Sequence, residues 1–408
     1  MLLPASATPD ASRLILARAL RGFGDGFVSV YLAAYLQLLG FSALQIGAIV
    51  TAMLVGSAAM TLGVGIAAHR VTSRGVLFGA AVLMLLTSAG FALLTDFWPL
   101  LVIAFVGTLN PSGGDVSIFL PTEQSILAGE GEVADRTALF ARYSLFGALF
   151  GAFGALISGL PEIAAKYFHL QLVDAFRAGF AVYGLAALAI VALYRGLQHG
   201  RTPATMPVKN VPLRRSRPIV LRLTVLFSLD AFGGGFVIDS LMVLWLFLRF
   251  DLSLQTVGAV FFAARTLSAL SQLVSPRLAA RFGLIETMVM THIPANIFLI
   301  LAAFMPTAPL AVTFLLLRMA LASMDVPARQ SFVMTVVPPE ERAAAASMTS
   351  VPRSLASAIS PLLAGSLLQV STFGWPLILG GLLKITYDLL LLVQFRHADA
   401  NLNRPSGR

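Results

Sequence analysis

The sequence predicts an all-α membrane protein with twelve transmembrane helices in two pseudo-symmetric six-helix bundles. Of its 408 residues, 58% are hydrophobic and 12% are charged, and the mean hydropathy is +0.86. A soluble chain of this length could not bury so many apolar residues. Apolar stretches of about 20 residues, the length that crosses a bilayer as a helix, recur throughout. A polar motif also occurs twice, about half a chain apart.

Short polar breaks between the apolar stretches set the approximate bounds of the helices. Spanning strands are disfavoured because they would show short alternating segments instead of long apolar runs. The first stretch is expected to stay as a helix, because it is too long for a signal peptide and contains Arg18, Arg21 and Asp25. The twelve predicted spans cover roughly residues 13–39, 43–67, 75–95, 98–128, 135–158, 173–195, 218–248, 253–276, 284–304, 309–337, 342–370 and 375–396.

The repeated motif indicates an internal duplication. Pro-Thr-Glu-Gln-Ser at residues 121–125 is echoed by Pro-Ala-Arg-Gln-Ser at 327–331, and an acid-Arg pair follows at 135–136 and at 341–342, always with an offset of 206 residues. Gly-Phe-Val at residues 26–28 matches Gly-Phe-Val at 235–237, with an offset of 209. Two halves of one topology in an apolar chain are typical of duplicated transporters.

The positive charges predict the orientation and the domain boundary. The net charge is +9, but the cations lie in loops between spans, which argues against nucleic-acid binding. The chain is predicted to be an integral protein of the cell (inner) membrane. Because Lys and Arg favour cytoplasmic loops, both termini and the Arg-rich central stretch are predicted to lie in the cytoplasm. The predicted organisation is an N-terminal bundle at 1–195, a cytoplasmic linker at 196–217, a C-terminal bundle at 218–396 and a cytoplasmic tail at 397–408.

These features together resemble the major facilitator superfamily over nearly the whole chain. The loop between the second and third spans, at residues 65–74, keeps the family's basic positions as Arg70 and Arg74, but His69 stands where Asp is usual and Thr72 where Gly is usual. The second copy keeps Arg281 and Gly283 and again lacks the acid. The resemblance implies secondary transport by alternating access, with the first, fourth, seventh and tenth helices lining a central cavity.

Ionisable residues inside the predicted spans are the candidate binding residues, because a charge in the bilayer is costly unless it is paired or faces a water-filled cavity. For Asp25 two interpretations stand side by side, a proton or substrate role and a fixed ion pair. The segment 110–115, which contains Pro and paired Gly, predicts a break in the fourth helix, with a packing kink as the alternative. The predicted substrate or proton site comprises Arg21, Asp25, Asn110, Asp115, Asp230, Asp239, Arg265, Arg318, Asp325 and Arg353.

Two further features receive structural interpretations. Lys384 and Asp388 are spaced to neutralise each other on one helix. His292 shares a helix face with Asn296, but a lone His without a suitably spaced carboxylate favours a packed polar residue over a metal ligand. No metal site and no cofactor are predicted, and without a phosphate-binding loop ATP is not expected as the energy source.

The repeated motif predicts a cytoplasmic gate. Glu123 is replaced by Arg329 at the equivalent position, so the two copies carry opposite charges. A pair between the halves is favoured; the alternative is local pairing, of Glu123 with Arg136 or Arg142, and of Arg329 with Asp325 or Glu341. The predicted gate residues are Glu123, Gln124, Arg136, Arg142, Arg329, Gln330 and Arg342.

The functional prediction is a secondary active transporter of a small solute, not an enzyme, with proton coupling and an organic anion as the favoured substrate class. Arginines match carboxylate or phosphate. Buried carboxylates without a partner favour the protonated form, which makes Asp25, Asp115, Asp239 and Asp325 the proton-carrier candidates. The alternatives are an exporter of drugs, metabolites or, less favoured, metals, and a non-transporting sensor of the same fold. The expected partners are the solute, protons and the lipid bilayer, with the chain acting as a monomer.

Overall fold

The computed structural model describes residues 7–67, 70–112, 118–130, 135–198, 216–338 and 341–402. In these ranges the chain is almost entirely helical and contains no strand. The helices are α1 (Pro9–Leu38), α2 (Ala43–Ala67), α3 (Ser73–Leu93), α4 (Phe97–Val106), α5 (Phe119–Leu127), α6 (Arg136–Leu156), α7 (Leu160–Phe168), α8 (Leu172–Arg195), α9 (Arg217–Gly235), α10 (Asp239–Phe250), α11 (Leu254–Phe282), α12 (Leu284–Phe304), α13 (Ala308–Ala322), α14 (Asp325–Val336), α15 (Arg342–Val370) and α16 (Trp375–Leu402).

The predicted all-α membrane class is confirmed. Ten helical segments in the described ranges are long and apolar enough to cross a bilayer. Helix α1 has 30 residues but carries several charges, and α4 has 10 residues, so neither is among those ten. Local sequence explains the helix ends: Thr8 caps α1 by accepting from the amide of Ala11 (3.2 Å), and Gly283 joins α11 to α12 with a φ of 97°, a conformation that favours glycine.

The predicted break in the fourth span is confirmed. Helix α4 ends at Val106, and the chain is not helical from Gly107 to Ser112. Asn110 Oδ1 accepts from the amide of Ser112 (3.1 Å), a local turn that competes with helix, and Pro111 has no amide hydrogen to donate. Asp115 lies outside the described residues, so its role in this break stays a prediction.

Two other predicted spans are also interrupted. The seventh changes from α9 to α10 after the run of three glycines that ends at Gly235, because glycine favours helix ends over helix interiors. The tenth changes from α13 to α14 at residues 323–324. Interrupted helices in a membrane protein are tolerated where protein or a water-filled cavity surrounds the freed peptide groups.

The chain divides into two compact units. The first comprises Met1–Met206 and Ile238–Phe262, and the second comprises Pro207–Val237 and Ala263–Arg408. Helix α10 therefore belongs with α1 to α8, although it follows α9 in the chain. Most of the predicted linker, residues 199–215, lies outside the described residues, and the predicted domain bounds stay predictions.

Close packing at glycines holds α1 against α6 in the first unit. A Cβ added at Gly22 would lie 2.4 Å from the backbone oxygen of Gly147, and one added at Gly26 would lie 1.9 Å from that of Gly151. Neither distance leaves room for a methyl group. These glycines therefore let the two helix backbones approach each other, as small residues commonly do in membranes.

The second unit repeats this contact with α9 and α15. A Cβ added at Gly235 would lie 2.3 Å from the backbone oxygen of Ser357, and Ser360 Oγ donates to the backbone oxygen of Phe232 (2.6 Å). Gly235 is the repeat equivalent of Gly26, and Ser357 stands 206 residues after Gly151. The duplication seen in the sequence is thus present in the packing of equivalent helices.

We expect Gly26→Ala to destabilise the protein by about 1–3 kcal/mol, because its methyl group meets backbone atoms that cannot rotate away. Gly63→Ala is the matched control, since nothing lies within 4 Å of a Cβ added there, and alanine there should stabilise α2 by up to about 1 kcal/mol. Thermal unfolding of the purified protein in detergent measures both. A Gly26→Ala protein as stable as the Gly63→Ala protein would show that the contact is not tight.

Candidate functional site

A buried ion pair joins α1 to α5 in the first unit. Arg21 Nη2 donates to Glu123 Oε2 at 2.6 Å, and both side chains are at most 2% exposed. Tyr143 donates to the same carboxylate oxygen, and Tyr194 donates to Oε1 (2.5 Å). The guanidinium also lies over the ring of Phe119, 4.7 Å from its centroid, a favourable cation–π distance.

This arrangement saturates the carboxylate. Glu123 accepts hydrogen bonds from one guanidinium and two phenols, so its charge is compensated without water. A buried charge supported in this way is fixed in place, and the loss of one partner leaves the other uncompensated. The first-unit pair and its two tyrosines therefore fix α1, α5, α6 and α8 to one another.

A larger network surrounds Asp230 of α9 in the second unit. Arg329 Nη1 of α14 donates to Asp230 Oδ2 at 2.9 Å, and Lys384 Nζ of α16 donates to Oδ1 at 2.6 Å. Arg329 also lies 3.4 Å from Asp325. Asp230 is thus the carboxylate that connects three helices of this unit.

A histidine-aspartate pair completes the network. His292 Nδ1 of α12 lies 2.9 Å from Asp388 Oδ1 and 3.0 Å from Oδ2, while Nε2 lies 4.0 Å from Asp230 Oδ1. His292 is 4% exposed and Asp388 is 0% exposed. An imidazole in direct contact with a carboxylate is an arrangement in which two side chains can share one proton.

The two networks are related by the repeat, with their charges reversed. Arg21 precedes Gly26 by five residues, as Asp230 precedes Gly235, and Glu123 and Arg329 occupy the same place in the doubled motif. Each half therefore pairs its first span with its fourth. In the first half the first span carries the cation, Arg21, and in the second half it carries the anion, Asp230. Within the described ranges, only the second copy also contacts a lysine and a histidine.

The second-unit network brings together several of the predicted site residues. Asp230 and Asp325 belong to it, and Arg353 lies within its electrostatic range. Arg21 belongs to the first-unit pair, and Asp25, buried one turn further along α1, lies near Tyr183. Arg265, Arg318 and Asp239 are half-buried on α11, α13 and α10, and Asn110 is buried in the break after α4.

Both central gate residues are engaged within their own units. Arg329 pairs locally with Asp325, as the alternative interpretation predicted. Glu123 pairs with Arg21, a partner that the sequence analysis did not name. Arg142 and Gln124 are half-buried and Gln330 is exposed, whereas the side chains of Arg136 and Arg342 lie outside the described residues. The gate itself stays a prediction.

Sequence reasoning missed the residues that extend the second network. The predicted Lys384 to Asp388 pair is wrong, because Lys384 reaches Asp230 and Asp388 faces His292. His292 was interpreted as a packed polar residue because its carboxylate partner is 96 residues away in the chain. One signal was present in the sequence: the offset of 209 residues maps Arg21 onto Asp230, and it would have predicted both repeat-related pairs.

The sequence model of the Major Facilitator Superfamily matches residues 14–324, and the chain belongs to that family. It is therefore a membrane transporter and not an enzyme.

Three similar proteins illustrate this membership. The chain is 24% identical over 436 residues to a Saccharomyces cerevisiae protein described as the uncharacterized membrane protein YJR124C, covering 98% of this chain and 97% of that one. The nucleoside transporter NupG has a TM-score of 0.71 at 14% identity and covers 95% of this chain and 100% of its own. A D-xylose-proton symporter has a TM-score of 0.73 at 16% identity, with coverage of 93% and 97%. At these identities the two structures show a shared fold.

We expect Glu123→Gln to destabilise the protein by about 3–5 kcal/mol, because Arg21 would stay buried without a counter-charge. Combining it with Arg21→Met should recover much of that loss, since no charge is then left uncompensated. Asp174→Asn is the control, because Asp174 is 60% exposed in its pair with Arg177 and such pairs contribute up to about 1 kcal/mol. Unfolding of Glu123→Gln, Arg21→Met, their combination and Asp174→Asn measures this coupling, and additive losses in the double variant would contradict it.

Proposed function

We propose that the protein is a secondary active transporter that moves a small solute by alternating access and couples this movement to protons. The observation that carries the proposal is the His292 to Asp388 pair beside Asp230. A network of charges within the membrane-spanning region is costly, and hydrophobic residues of similar volume often stabilise a protein as well or better. A role in transport accounts for the retention of so many charges at one place.

The charge balance of the network supports proton coupling. It contains three carboxylates, Asp230, Asp325 and Asp388, and three fixed cations, Arg329, Lys384 and Arg353. With His292 neutral these charges cancel, so one added proton leaves the network with one positive charge. A change of that size in a medium of low dielectric alters the interactions of each neighbouring charge and can bias which conformation is favoured.

The proton site proposed here differs from the sequence candidates. Asp325 is already paired with Arg329, and Asp115 lies outside the described residues. Asp25 and Asp239 stay candidates for a second proton or for the solute. His292 and Asp388 are preferred because each faces the other directly, so that a proton between them is held by both.

We also propose the number of spans, the orientation, the direction of transport and the substrate class. We place twelve spans in the membrane by adding α1 and the interrupted α4 and α5 segment to the ten long apolar helices. The protein lies in the cell membrane with both termini on the cytoplasmic side, a proposal supported by the basic loops. The proposed substrate class is a small organic anion. The second candidate function is the export of drugs or metabolites.

The test uses the full-length protein in vesicles that contain a trapped pH-sensitive dye. A panel of organic anions, sugars and nucleosides is added outside, and movement of protons with the solute is recorded. We expect His292→Gln and Asp388→Asn each to abolish solute-dependent proton movement while solute exchange at equal concentrations continues. Asp174→Asn, on the exposed loop side of α8, is the control that should behave as the unsubstituted protein.

Two results would contradict the proposal. Proton movement that survives in both His292→Gln and Asp388→Asn would show that the pair does not carry the proton. Solute flux without any proton movement in the unsubstituted protein would remove proton coupling itself.

A further inference from the structure

Arg353 stands beside Asp230 at the contact between α9 and α15. Thr224 Oγ1 of α9 donates to the backbone oxygen of Met348 of α15 (3.1 Å), and further along the same two helices Gly235 meets Ser357. The helices therefore run side by side in the same direction, and Arg353 lies at the level of Asp230. The equivalent position in the first half is Gly147, so a glycine packing position in one half holds an arginine in the other.

The guanidinium of Arg353 has no direct counter-ion among the described residues. The network's ion pairs join Asp230 to Arg329 and Lys384, Asp325 to Arg329, and Asp388 to His292. Arg353 is near enough to Arg329, another cation, for the two charges to interact. Two neighbouring guanidinium groups repel each other, and an anion between them would relieve that repulsion.

Tyr387 supplies a second unused donor at the same place. Its side chain is 1% exposed, and its hydroxyl has no hydrogen-bond partner in the described part of the chain. It lies within electrostatic range of Asp230 and Arg329, and its ring packs at right angles to that of His292, with 6.2 Å between centroids. A buried hydroxyl without a partner costs free energy, so an acceptor at this place would satisfy it.

We propose that Arg353 and Tyr387 form the binding site for the anionic group of the solute, a carboxylate or a phosphate. The planar guanidinium presents paired N–H donors that match two oxygens of such a group, and the Tyr387 hydroxyl donates to it. This inference rests on the proposed transport function and deepens it by naming the substrate class and the residues that hold it.

The same geometry links anion binding to protonation. An added proton gives the network one positive charge, and a bound monoanion cancels it, so the proton and the anion favour each other's binding. The charged groups of the network around His292 come from three helices: Asp388 and Lys384 from α16, Asp325 and Arg329 from α14, and Asp230 from α9. Since the fixed charges of the network already balance, the proton on the pair is the variable charge.

The experiment measures binding to the full-length protein in lipid nanodiscs. The probes are succinate, benzoate and inorganic phosphate, with succinamide and benzamide as neutral counterparts and chloride at matched ionic strength. We expect a carboxylate or phosphate to raise the unfolding temperature and to bind more tightly as the pH falls. Arg353→Gln should weaken its affinity roughly 10- to 100-fold, and Tyr387→Phe roughly 2- to 10-fold.

Controls separate this site from general charge effects. Arg277→Gln, at an exposed position on α11, should leave the affinity unchanged. Arg353→Lys keeps the charge but not the paired donors, so it should bind more weakly than the unsubstituted protein and more tightly than Arg353→Gln. If the glutamine variant does not fold, this lysine variant alone carries the test.

The possible outcomes distinguish the two proposals. Anions that bind no better than their neutral counterparts, or that bind Arg353→Gln as well as Arg277→Gln, would overturn the anion site while leaving proton coupling intact. Anion binding whose pH dependence is the same in His292→Gln would leave the site standing and contradict the proton pair.

Discussion

The compensation of Asp230 is the interaction on which the second unit depends. Its carboxylate accepts from Arg329 and Lys384 and lies near His292, so it joins α9, α12, α14 and α16. Charges in the membrane interior are stable only with such partners. Under the proposed proton coupling, a change in the protonation of the pair formed by His292 and Asp388 alters a network to which four helices contribute, and a single proton thereby influences the position of whole helices.

The two repeats share an ion pair between their first and fourth spans but differ in the groups that surround it. Both halves pair their first helix with their fourth, but Glu123 is enclosed by Arg21 and two tyrosines, whereas the Asp230 network includes a titratable histidine and, within the described ranges, an arginine without a direct counter-ion. Glycine packing is retained in both halves. The second half differs from the first at Arg353, which stands where the first half has Gly147, and its network also includes Lys384 and His292. We infer that duplication supplied the scaffold and that divergence placed the chemistry in one half.

The sequence predicted the fold class, the break in the fourth span and several members of the site, because hydropathy, proline and glycine act locally along the chain. It did not predict the partners. Lys384 and Asp388 have the spacing of a helix pair, yet each turns to a carboxylate or imidazole on another helix, a choice that depends on helix packing. Glu123 was expected to pair with Arg329 of the other half, with the nearby Arg136 or Arg142 as the alternative, although its partner Arg21 lies 102 residues away. Local patterns therefore identify charged residues that need partners without identifying those partners.

The most direct test of this account is a pH titration of the His292 ring by nitrogen NMR, with isotope-labelled histidine in the full-length protein in nanodiscs. The chain contains five histidines, and the His292→Gln protein identifies the signal. Across a titration from about pH 8 to 5, the account predicts that this ring gains a proton and that Asp388→Asn or a bound anion changes the pH at which it does so. A ring that keeps one protonation state across this range, unaffected by either change, would contradict the central role given to the pair.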